Sequence, residues 1–472
     1  MGARWRGLLV CLVAALVSVA PAAAQQRLNL PVPPPGSPVW GGVPQPQLAA
    51  APITLTLRDA LRLSLEHNLS VLLAEEAVDR AGGARRVALS ELLPTFKGDV
   101  SGTRRKTNLE AFGFPLGPTF PKVVGPFNVF DARVTVRQAL YDRKALSIFD
   151  AETHEVTATQ LGRQSSRDLV VLAAASVYLE TAAVGARAVA TRAQVETAQA
   201  LHQQAQALRA AGVVAGIDVV RSEVRLSEAQ STAITAQNDF EKAKLRLARL
   251  VGLPLRQEFS LADEVPNIPV SESAFEDVLS KAYAARPEFL AAQARVRAAE
   301  AMVRAAEGER WPSASLNGDY GVIGLTVGSS LPTFAITGAV SVPLFDGGRS
   351  RGRTTQAKAD LNQRKAELED LRGAIYYNIR TAFLDLAAAE EQLKAATTAR
   401  DLANLQLTQA RDRFSAGVTD NLEVVQAQDA QASATDRFIA ARYAVTIAQA
   451  LVLSAPGSLE QAIAQYLGSP TR

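Results

Sequence analysis

The residue types that carry catalysis and metal binding are few in this 472-residue chain and widely separated. Its three histidines, His67, His154 and His202, have no spacing that would bring two of them onto one metal ion. The sequence contains no phosphate-binding glycine loop and no nucleophile motif. Aspartate and glutamate are plentiful, but most stand one helical turn from Lys or Arg, as on solvated helices. The sequence therefore predicts no enzyme, no cofactor and no metal site.

The N-terminus predicts two segments outside the folded part. A basic start, an apolar run over 8–20 and small residues up to Ala24 have the layout of a secretory signal, which we assign to 1–24. Cys11 is the chain's one cysteine and lies in this signal, so the mature chain would have no disulfide. Residues 25–52 are rich in proline and glycine and predict an extended, largely disordered leader. The net charge of +3 is too small to indicate nucleic-acid binding, and the predicted export from the cell argues against it.

The rest of the chain contains an internal repeat. The stretch "LRDALRLSLEHNLSVLLAEEAV" from Leu57 matches "FEDVLSKAYAARPEFLAAQARV" from Phe275. Further along, "AGVVAGIDVVRSEVRLSEA" from Ala211 matches "AGVTDNLEVVQAQDAQASA" from Ala416. The order of matching stretches is the same in both copies, which indicates duplication. The two matching stretches of the second pair are separated by fewer residues than those of the first pair. The first copy therefore carries an insertion between its own two stretches, which we assign to a loop at 109–125.

Each copy predicts a helix, two strands, a very long helix and a shorter helix. No proline interrupts the long helices, and the first alone would be about 100 Å long at 1.5 Å per residue. Helices of this length with small residues at the contact positions are typical of coiled coils. The first repeat covers 53–252, with helices near 53–92, 142–211 and 217–251 and strands near 95–106 and 127–140; a linker covers 253–272; the second repeat covers 273–456, with helices near 273–310, 347–415 and 421–454 and strands near 313–327 and 334–344; a tail covers 457–472.

The strands alternate apolar and polar residues. Phe130, Ala132, Val134 and Val136 share one face, opposite Asp131, Arg133, Thr135 and Arg137. This pattern fits both a soluble hairpin with one buried face and a membrane barrel. Four strands are too few to close into a barrel, because the smallest membrane barrels need about eight strands. An open four-stranded sheet cannot lie in lipid either, because its unpaired edge groups would lack hydrogen-bond partners. A membrane location therefore requires several chains, and three would supply twelve strands.

The strands lead directly into the long helices. In "PLFDGG", Pro343 ends ladder pairing, Gly347 and Gly348 allow a sharp change of direction, and Asp346 caps the helix. The first copy makes the same transition in "ALYDRKAL", with Asp142 as the cap.

From Leu57 to Ala455 the chain resembles the TolC family of outer-membrane efflux proteins. The resemblance rests on the duplicated plan, on "PLFDGG", on the turns "AGVV" and "AGVT", and on "LVGLP" at 250–254. It implies a mostly α fold in which a homotrimer forms a 12-stranded β-barrel in outer-membrane lipid, on a long coiled-coil α-barrel in the periplasm. It further implies a passive exit duct for efflux or type I secretion, docked by a periplasmic adaptor (membrane fusion protein) and an inner-membrane transporter. The loop at 109–125 would be extracellular.

The same resemblance implies roles at the two helical tips. The tip glycines are Gly212 and Gly417, the adaptor-contacting neighbours are Val213, Val214, Val418 and Thr419, and the acidic entrance positions are Asp218 and Glu423. Three copies of such an acid would form a carboxylate ring that attracts cations. An acid near a helix start also interacts favourably with the helix dipole. The carboxylate ring and the purely structural role therefore both stay open. Some family members have arginine in place of Thr419 and an acid in place of Gln426, so the resemblance does not imply a charge-locked gate in this chain.

A periplasmic coiled-coil adaptor or scaffold is the alternative, since such proteins also have long helical hairpins. It predicts one hairpin flanked by lipoyl-like and barrel strands, whereas this sequence predicts two full copies with short strand pairs.

Overall fold

The computed structural model describes residues 36–44, 51–113, 121–262, 275–419 and 421–457. The signal at 1–24, and the tail after residue 457, lie outside the described residues. The elements are β1 Ile53–Leu55, α1 Leu57–His67, α2 Leu69–Ser90, β2 Thr95–Asn108, β3 Val123–Tyr141, α3 Arg143–Ala210, α4 Gly216–Val251, β4 Phe259–Leu261, α5 Phe275–Ala285, α6 Pro287–Gly308, β5 Ser313–Gly324, β6 Leu331–Ser341, α7 Arg349–Ser415 and α8 Asn421–Ser454.

Four long helices form two antiparallel hairpins, α3 with α4 and α7 with α8. Buried alanines recur at multiples of seven residues along three of these helices: Ala229, Ala236 and Ala243 in α4, Ala382, Ala389, Ala403 and Ala410 in α7, and Ala427, Ala434, Ala441 and Ala448 in α8. A seven-residue repeat keeps one seam facing the partner helix. The 68 residues of α3 give it a length of about 100 Å. Along these seams, the helices are therefore held together largely by small side chains.

Two helices predicted as continuous are each divided in two. The predicted helix at 53–92 breaks at Asn68, whose side-chain amide donates to the carbonyl of Val39 at 2.7 Å while its oxygen accepts from the N–H of Ser70. The predicted helix at 273–310 breaks before Pro287, which is the first residue of α6. Proline suits a first helical position and excludes the residue before it from the helix. Both predictions of a single helix were wrong.

A small core at one side of the hairpins was missed. Strand β1 pairs in parallel with β4, inside the segment predicted as a linker. The hydroxyl of Tyr178 in α3 donates to the carbonyl of Leu55 in β1 at 3.1 Å. Residues 36–44, predicted to be disordered, pack against α1, α2 and α4, and Val39 is 2% exposed. The prediction of a disordered leader was therefore wrong for this part of 25–52.

The other strands form one antiparallel sheet in the order β2-β3-β5-β6. Within the described residues, β2 and β6 each have a partner on one side only, so the sheet is open. β3 begins at Val123, inside the predicted loop at 109–125, of which 114–120 lie outside the described residues. β6 ends at Ser341, before the predicted end at 344, so Pro343 follows the ladder without terminating it.

Helix α3 alone, among the described helices, contains an 18-residue stretch that is apolar enough to cross a membrane by composition. The stretch passes on average composition alone, because the sequence after residue 24 has no uninterrupted apolar run of that length. Nearly half of the stretch is buried inside the chain. Val170, Val171, Ala174 and Tyr178 of α3 belong to the core formed with β1 and α1, so this part of α3 is a core helix.

Candidate functional site: strand faces, helix junction and helical tips

One face of the four-stranded sheet, here the apolar face, carries large side chains that the rest of the described chain leaves uncovered. The strand register arranges this face in rows across neighbouring strands, and the third row from the helices contains Phe96, Val136, Gly318 and Ile336. The exposed fraction lies between 67% and 75% for Phe96, Val100, Tyr320, Phe334, Ile336 and Val340. A soluble sheet buries such a face, whereas a sheet built for lipid leaves it bare.

The opposite, polar face carries charges that neutralise one another. Lys97 pairs with Asp99 at 2.8 Å. Arg133 reaches Asp131 on its own strand at 2.5 Å and Asp319 on the neighbouring strand at 3.1 Å. Such a face is suited to water. The two faces of the same strands are therefore built for two different surroundings.

The first strand-to-helix transition takes a single residue. Asp142 follows the last residue of β3, and its carboxylate accepts a hydrogen bond from the N–H of Ala145 at 2.9 Å. This is an N-cap, which satisfies a donor that the first helical turn leaves open. The predicted cap role of Asp142 corresponds to this geometry.

The second transition is longer and runs over residues 342–348. Gly347 and Gly348 have φ of +65° and +89°, a region that glycine occupies without strain. The Asp346 carboxylate accepts from the N–H groups of Gly348 and Ser350, both at 2.9 Å, and from the Ser350 hydroxyl. Gly348 is the N-cap residue of α7, and the side-chain cap comes from Asp346, two residues earlier in the chain.

Low pH is expected to loosen the start of α7. The Ser350 hydroxyl, then the N–H groups of Ser350 and Gly348, lower the pKa of Asp346 from 3.8 to about 2. A lowered pKa in the folded state means that this stabilisation is present above pH 3.8 and is lost as the pH falls through about 2. Amide hydrogen exchange at 347–353 should be faster in Asp346→Ala than in the parent at pH 5.5. This difference should shrink towards pH 2, and equal protection at pH 5.5 would contradict the cap.

A partly buried carboxylate that the sequence did not predict joins the starts of both long helices. Glu309, with 12% of its side chain exposed, lies 2.7 Å from Lys144 of α3 and also pairs with Arg353 of α7. Partial burial alone would raise the pKa of Glu309, but the hydrogen bonds from Lys144 and Arg353 outweigh it and lower that pKa. The guanidinium of Arg143 stacks 4.2 Å from the ring centre of Trp311 beside this cluster. These contacts fix the two helix starts below the sheet.

Both helical hairpins close in the same turn. Gly212 and Gly417 have φ of +74° and +70°, the left-handed conformation that ends many helices. The N–H of the next residue donates to a carbonyl five residues earlier, at 2.9 Å for Val213 and 3.0 Å for Val418. Because a side chain disfavours positive φ, the backbone favours glycine at both predicted tip positions.

The four predicted contact positions at the tips differ in exposure. Val213 and Val418 are 56% and 70% exposed. Val214 packs partly against a small tip core that contains Phe414 and Val424. The Thr419 hydroxyl, partly buried, donates to Glu423 at 2.6 Å. The surface that the tips offer in this chain is therefore mainly the two exposed valines.

The two acidic positions are engaged within their own hairpins. Glu423 pairs with Arg413 at 2.9 Å in addition to its bond with Thr419. Asp218 is only 6% exposed, accepts from the N–H of Ala215 at 3.3 Å and lies 3.5 Å from Arg221. Both arrangements are typical of acids at a helix start, where the carboxylate accepts hydrogen bonds and interacts favourably with the helix dipole.

Three polar contacts that the sequence did not predict join the first hairpin to the second. The Asn421 side chain, 2% exposed, donates to the carbonyl of Asp218 at 2.9 Å. Arg225 pairs with Asp429 at 2.7 Å, and Arg187 pairs with Asp436. Residues of this kind give no sequence signal, because they are ordinary polar residues on amphipathic helices.

Removing the Asn421 amide should loosen the tips. Asn421→Ala removes one buried hydrogen bond, which stabilises by about 1 kcal/mol. Amide exchange in 210–222 and 411–426 should increase severalfold, while exchange in the strands stays unchanged. Asn404→Ala, on α7 away from the tip turns, is the control and should leave the tip unchanged. Unaltered exchange at the tips of Asn421→Ala would contradict the role of this contact.

Sheet and tips together define an envelope protein with strands suited to lipid and helices that extend away from them. The profile of the family "Outer membrane efflux protein" matches residues 60–253 and again 278–458. The chain belongs to this family. The predicted resemblance to TolC-type efflux proteins is thereby confirmed, as is the predicted location in the outer membrane with the helices in the periplasm.

Individual relatives are distant in sequence. Outer membrane protein OprJ of Pseudomonas aeruginosa is 24% identical, over 89% of this chain and 88% of its own. Outer membrane efflux protein BepC of Brucella suis is 24% identical over 55% of this chain, and the alkaline protease secretion protein AprF of P. aeruginosa is 25% identical over 52%. The chain spans 58% of BepC and 52% of AprF.

Solved structures share the fold. The CmeC outer membrane channel of Campylobacter jejuni superposes with a TM-score of 0.75 at 19% identity, over 93% of this chain and 97% of CmeC. The outer membrane protein VceC of Vibrio cholerae gives a TM-score of 0.74 at 19% identity, over 85% and 96%. The mostly helical architecture with a small strand region is therefore that of known outer-membrane channels.

Proposed function

We propose that three copies of this chain form an exit duct across the outer membrane and periplasm. The observation that carries this proposal is the open four-stranded sheet with an uncovered apolar face. Its two bare edges, on β2 and β6, would be unsatisfied in lipid. Three copies supply twelve antiparallel strands, in which β6 of one copy pairs with β2 of the next and no edge remains.

The helices support a tunnel of matching symmetry. Two short helices, two strands and two long helices follow one another twice along the chain, and the family profile matches twice. This succession supports a duplication. Six such units in a trimer would carry twelve long helices below twelve strands, with Glu309 holding the junction in each copy. The duct would be passive, as the resemblance to TolC-type efflux proteins implies.

The helical tips are the proposed docking site for a periplasmic adaptor. Val213 and Val418 are exposed at the end farthest from the sheet, and apolar side chains at a tip are favourable contacts for a partner protein. The adaptor would link the duct to an inner-membrane transporter. Relatives named for efflux and for alkaline protease secretion stand at similar identity, so we assign the choice of cargo to the transporter. Family membership disfavours the alternative of a periplasmic adaptor or scaffold.

Cysteine cross-linking across the two sheet edges tests this assembly. A mature chain without cysteine gives no background. Each variant carries two cysteines on the polar face of the sheet, one on each edge strand. Ser101 on β2 is changed to Cys in every variant, and the second cysteine replaces Thr333, Ala335 or Thr337 on β6. Oxidation should give covalently linked dimers and trimers for at least one pair, and none for single-cysteine controls. Only monomers, for every pair in membranes, would contradict closure of the barrel.

A further inference from the structure

The apolar face of the sheet becomes basic at the end farthest from the helices. Along β2, Phe96 and Val100 share this face, and by alternation Arg104 and Lys106 continue it. A bulge lies opposite Lys106, where two residues of β3, Gly125 and Pro126, face one residue of β2. Because the extra residue belongs to β3, strand β2 keeps its alternation. Arg104 and Lys106, here called the outer basic pair, therefore lie on the same face as the apolar side chains.

The charges of the outer basic pair are not balanced by acids. Both side chains are exposed, and neither makes an ion pair with another residue in the described part of the chain. The nearby carboxylate of Glu110 pairs with Lys122 at 2.9 Å. By sequence, 114–120 carries no charged residue, and nor does 320–340, which includes the outer end of the second hairpin. This edge of the sheet is thus positive, and the outer basic pair has no acidic partner among the described residues.

The height of the outer basic pair matches the lipid headgroups. From the row of Val340 to the row of Arg104 there are six two-residue steps, or about 40 Å along the strands. A strand tilt of about 40° reduces this to about 30 Å, slightly more than the apolar band of about 25 Å in outer-membrane barrels. If the Val340 row marks the inner limit of the apolar band, Arg104 lies just beyond the outer limit.

We propose that Arg104 and Lys106 bind the phosphate groups of outer-leaflet lipids; this rests on the proposed barrel. The guanidinium of Arg104 matches the geometry of a phosphate, and Lys106 adds a second cation on the same face. The alkyl stems of both residues lie along lipid-facing surface while their charged ends reach the headgroups. A trimer would carry three such sites, each beside the uncharged outer end of a neighbouring β6.

Titration with a phosphorylated glycolipid tests the site. The full mature protein, purified in detergent, is incorporated into phosphatidylcholine vesicles, and incorporation is scored by flotation. Binding of fluorescent diphosphorylated lipid A is then compared between the parent, Arg104→Gln/Lys106→Gln and the control Arg105→Gln. Arg105 is the adjacent residue on the polar face. Two charges at about 1 kcal/mol each predict a loss of about thirtyfold for the double variant, and less than threefold for the control.

The outcomes separate this site from the barrel itself. Flotation of all three proteins with loss of lipid affinity in the double variant alone supports the outer basic pair. Flotation of all three with equal affinities overturns the site and leaves the barrel intact. A parent protein that does not float overturns both. Displacement of the lipid by millimolar inorganic phosphate would also overturn the proposal, because it would make the site one for free anions.

Discussion

An arginine in place of Ile336 is expected to prevent assembly in the outer membrane. Ile336 lies in the third of six rows on the apolar face and is 73% exposed, so it would face the middle of the lipid. Arginine at that depth costs roughly 2–4 kcal/mol per copy, and a trimer contains three copies. The total of about 6–12 kcal/mol is comparable to the entire stability of many folded domains. Heat-resistant oligomer in outer-membrane fractions should fall at least tenfold.

The neighbouring residue provides a matched control for this substitution. Thr337 follows Ile336 in the same strand, is exposed and lies on the polar face. Thr337→Arg should therefore assemble at a level within twofold of the parent. The same defect in both variants would indicate general damage to β6. Normal assembly of Ile336→Arg would show that the apolar face does not contact lipid, and would contradict the barrel.

A carboxylate at the second tip is expected to abolish export while the protein still assembles. Val418 is 70% exposed, so Val418→Glu costs the isolated chain little. If the adaptor covers this side chain, an unpaired carboxylate would be buried at a cost of several kcal/mol, or at least a hundredfold in affinity. A deletion strain that carries Val418→Glu should retain its export defect, with normal amounts of oligomer in the outer membrane.

The conservative variant at the same position separates charge from shape. Val418→Thr keeps the branched side chain without a charge and should restore export to within a few-fold of the parent. Full restoration by Val418→Glu would show that no partner covers the tip at Val418. Failure of both variants, with normal assembly, would indicate that the turn itself and not the added charge is essential.

Periodic patterns made the long elements predictable from sequence. A helix of many turns repeats its signal, so α3, α7 and α8 fall close to the predicted limits. The two-residue alternation in β3 likewise separates the apolar face from the ion pairs around Arg133. The tip glycines were predictable because a left-handed residue at a helix end strongly favours glycine.

Features that depend on single contacts between distant residues were not predictable. Asn68 breaks a helix because its amide reaches Val39, 29 residues earlier in the chain. β1 and β4 have three residues each, too few to show a period, and they exist because they pair with each other. Glu309 is one acid among many until Lys144 and Arg353 converge on it. The break before Pro287, in contrast, had a clear signal in the sequence that the prediction of one continuous helix ignored.

The mass and shape of the mature protein, extracted from outer membranes in mild detergent, test the proposed duct most directly. Light scattering should give three times the mass of the chain after detergent is subtracted. Negative-stain images should contain a threefold-symmetric tube well over 100 Å long, since α3 alone accounts for about 100 Å. A soluble monomer or dimer that needs no detergent would contradict the barrel and, with it, the proposed export function.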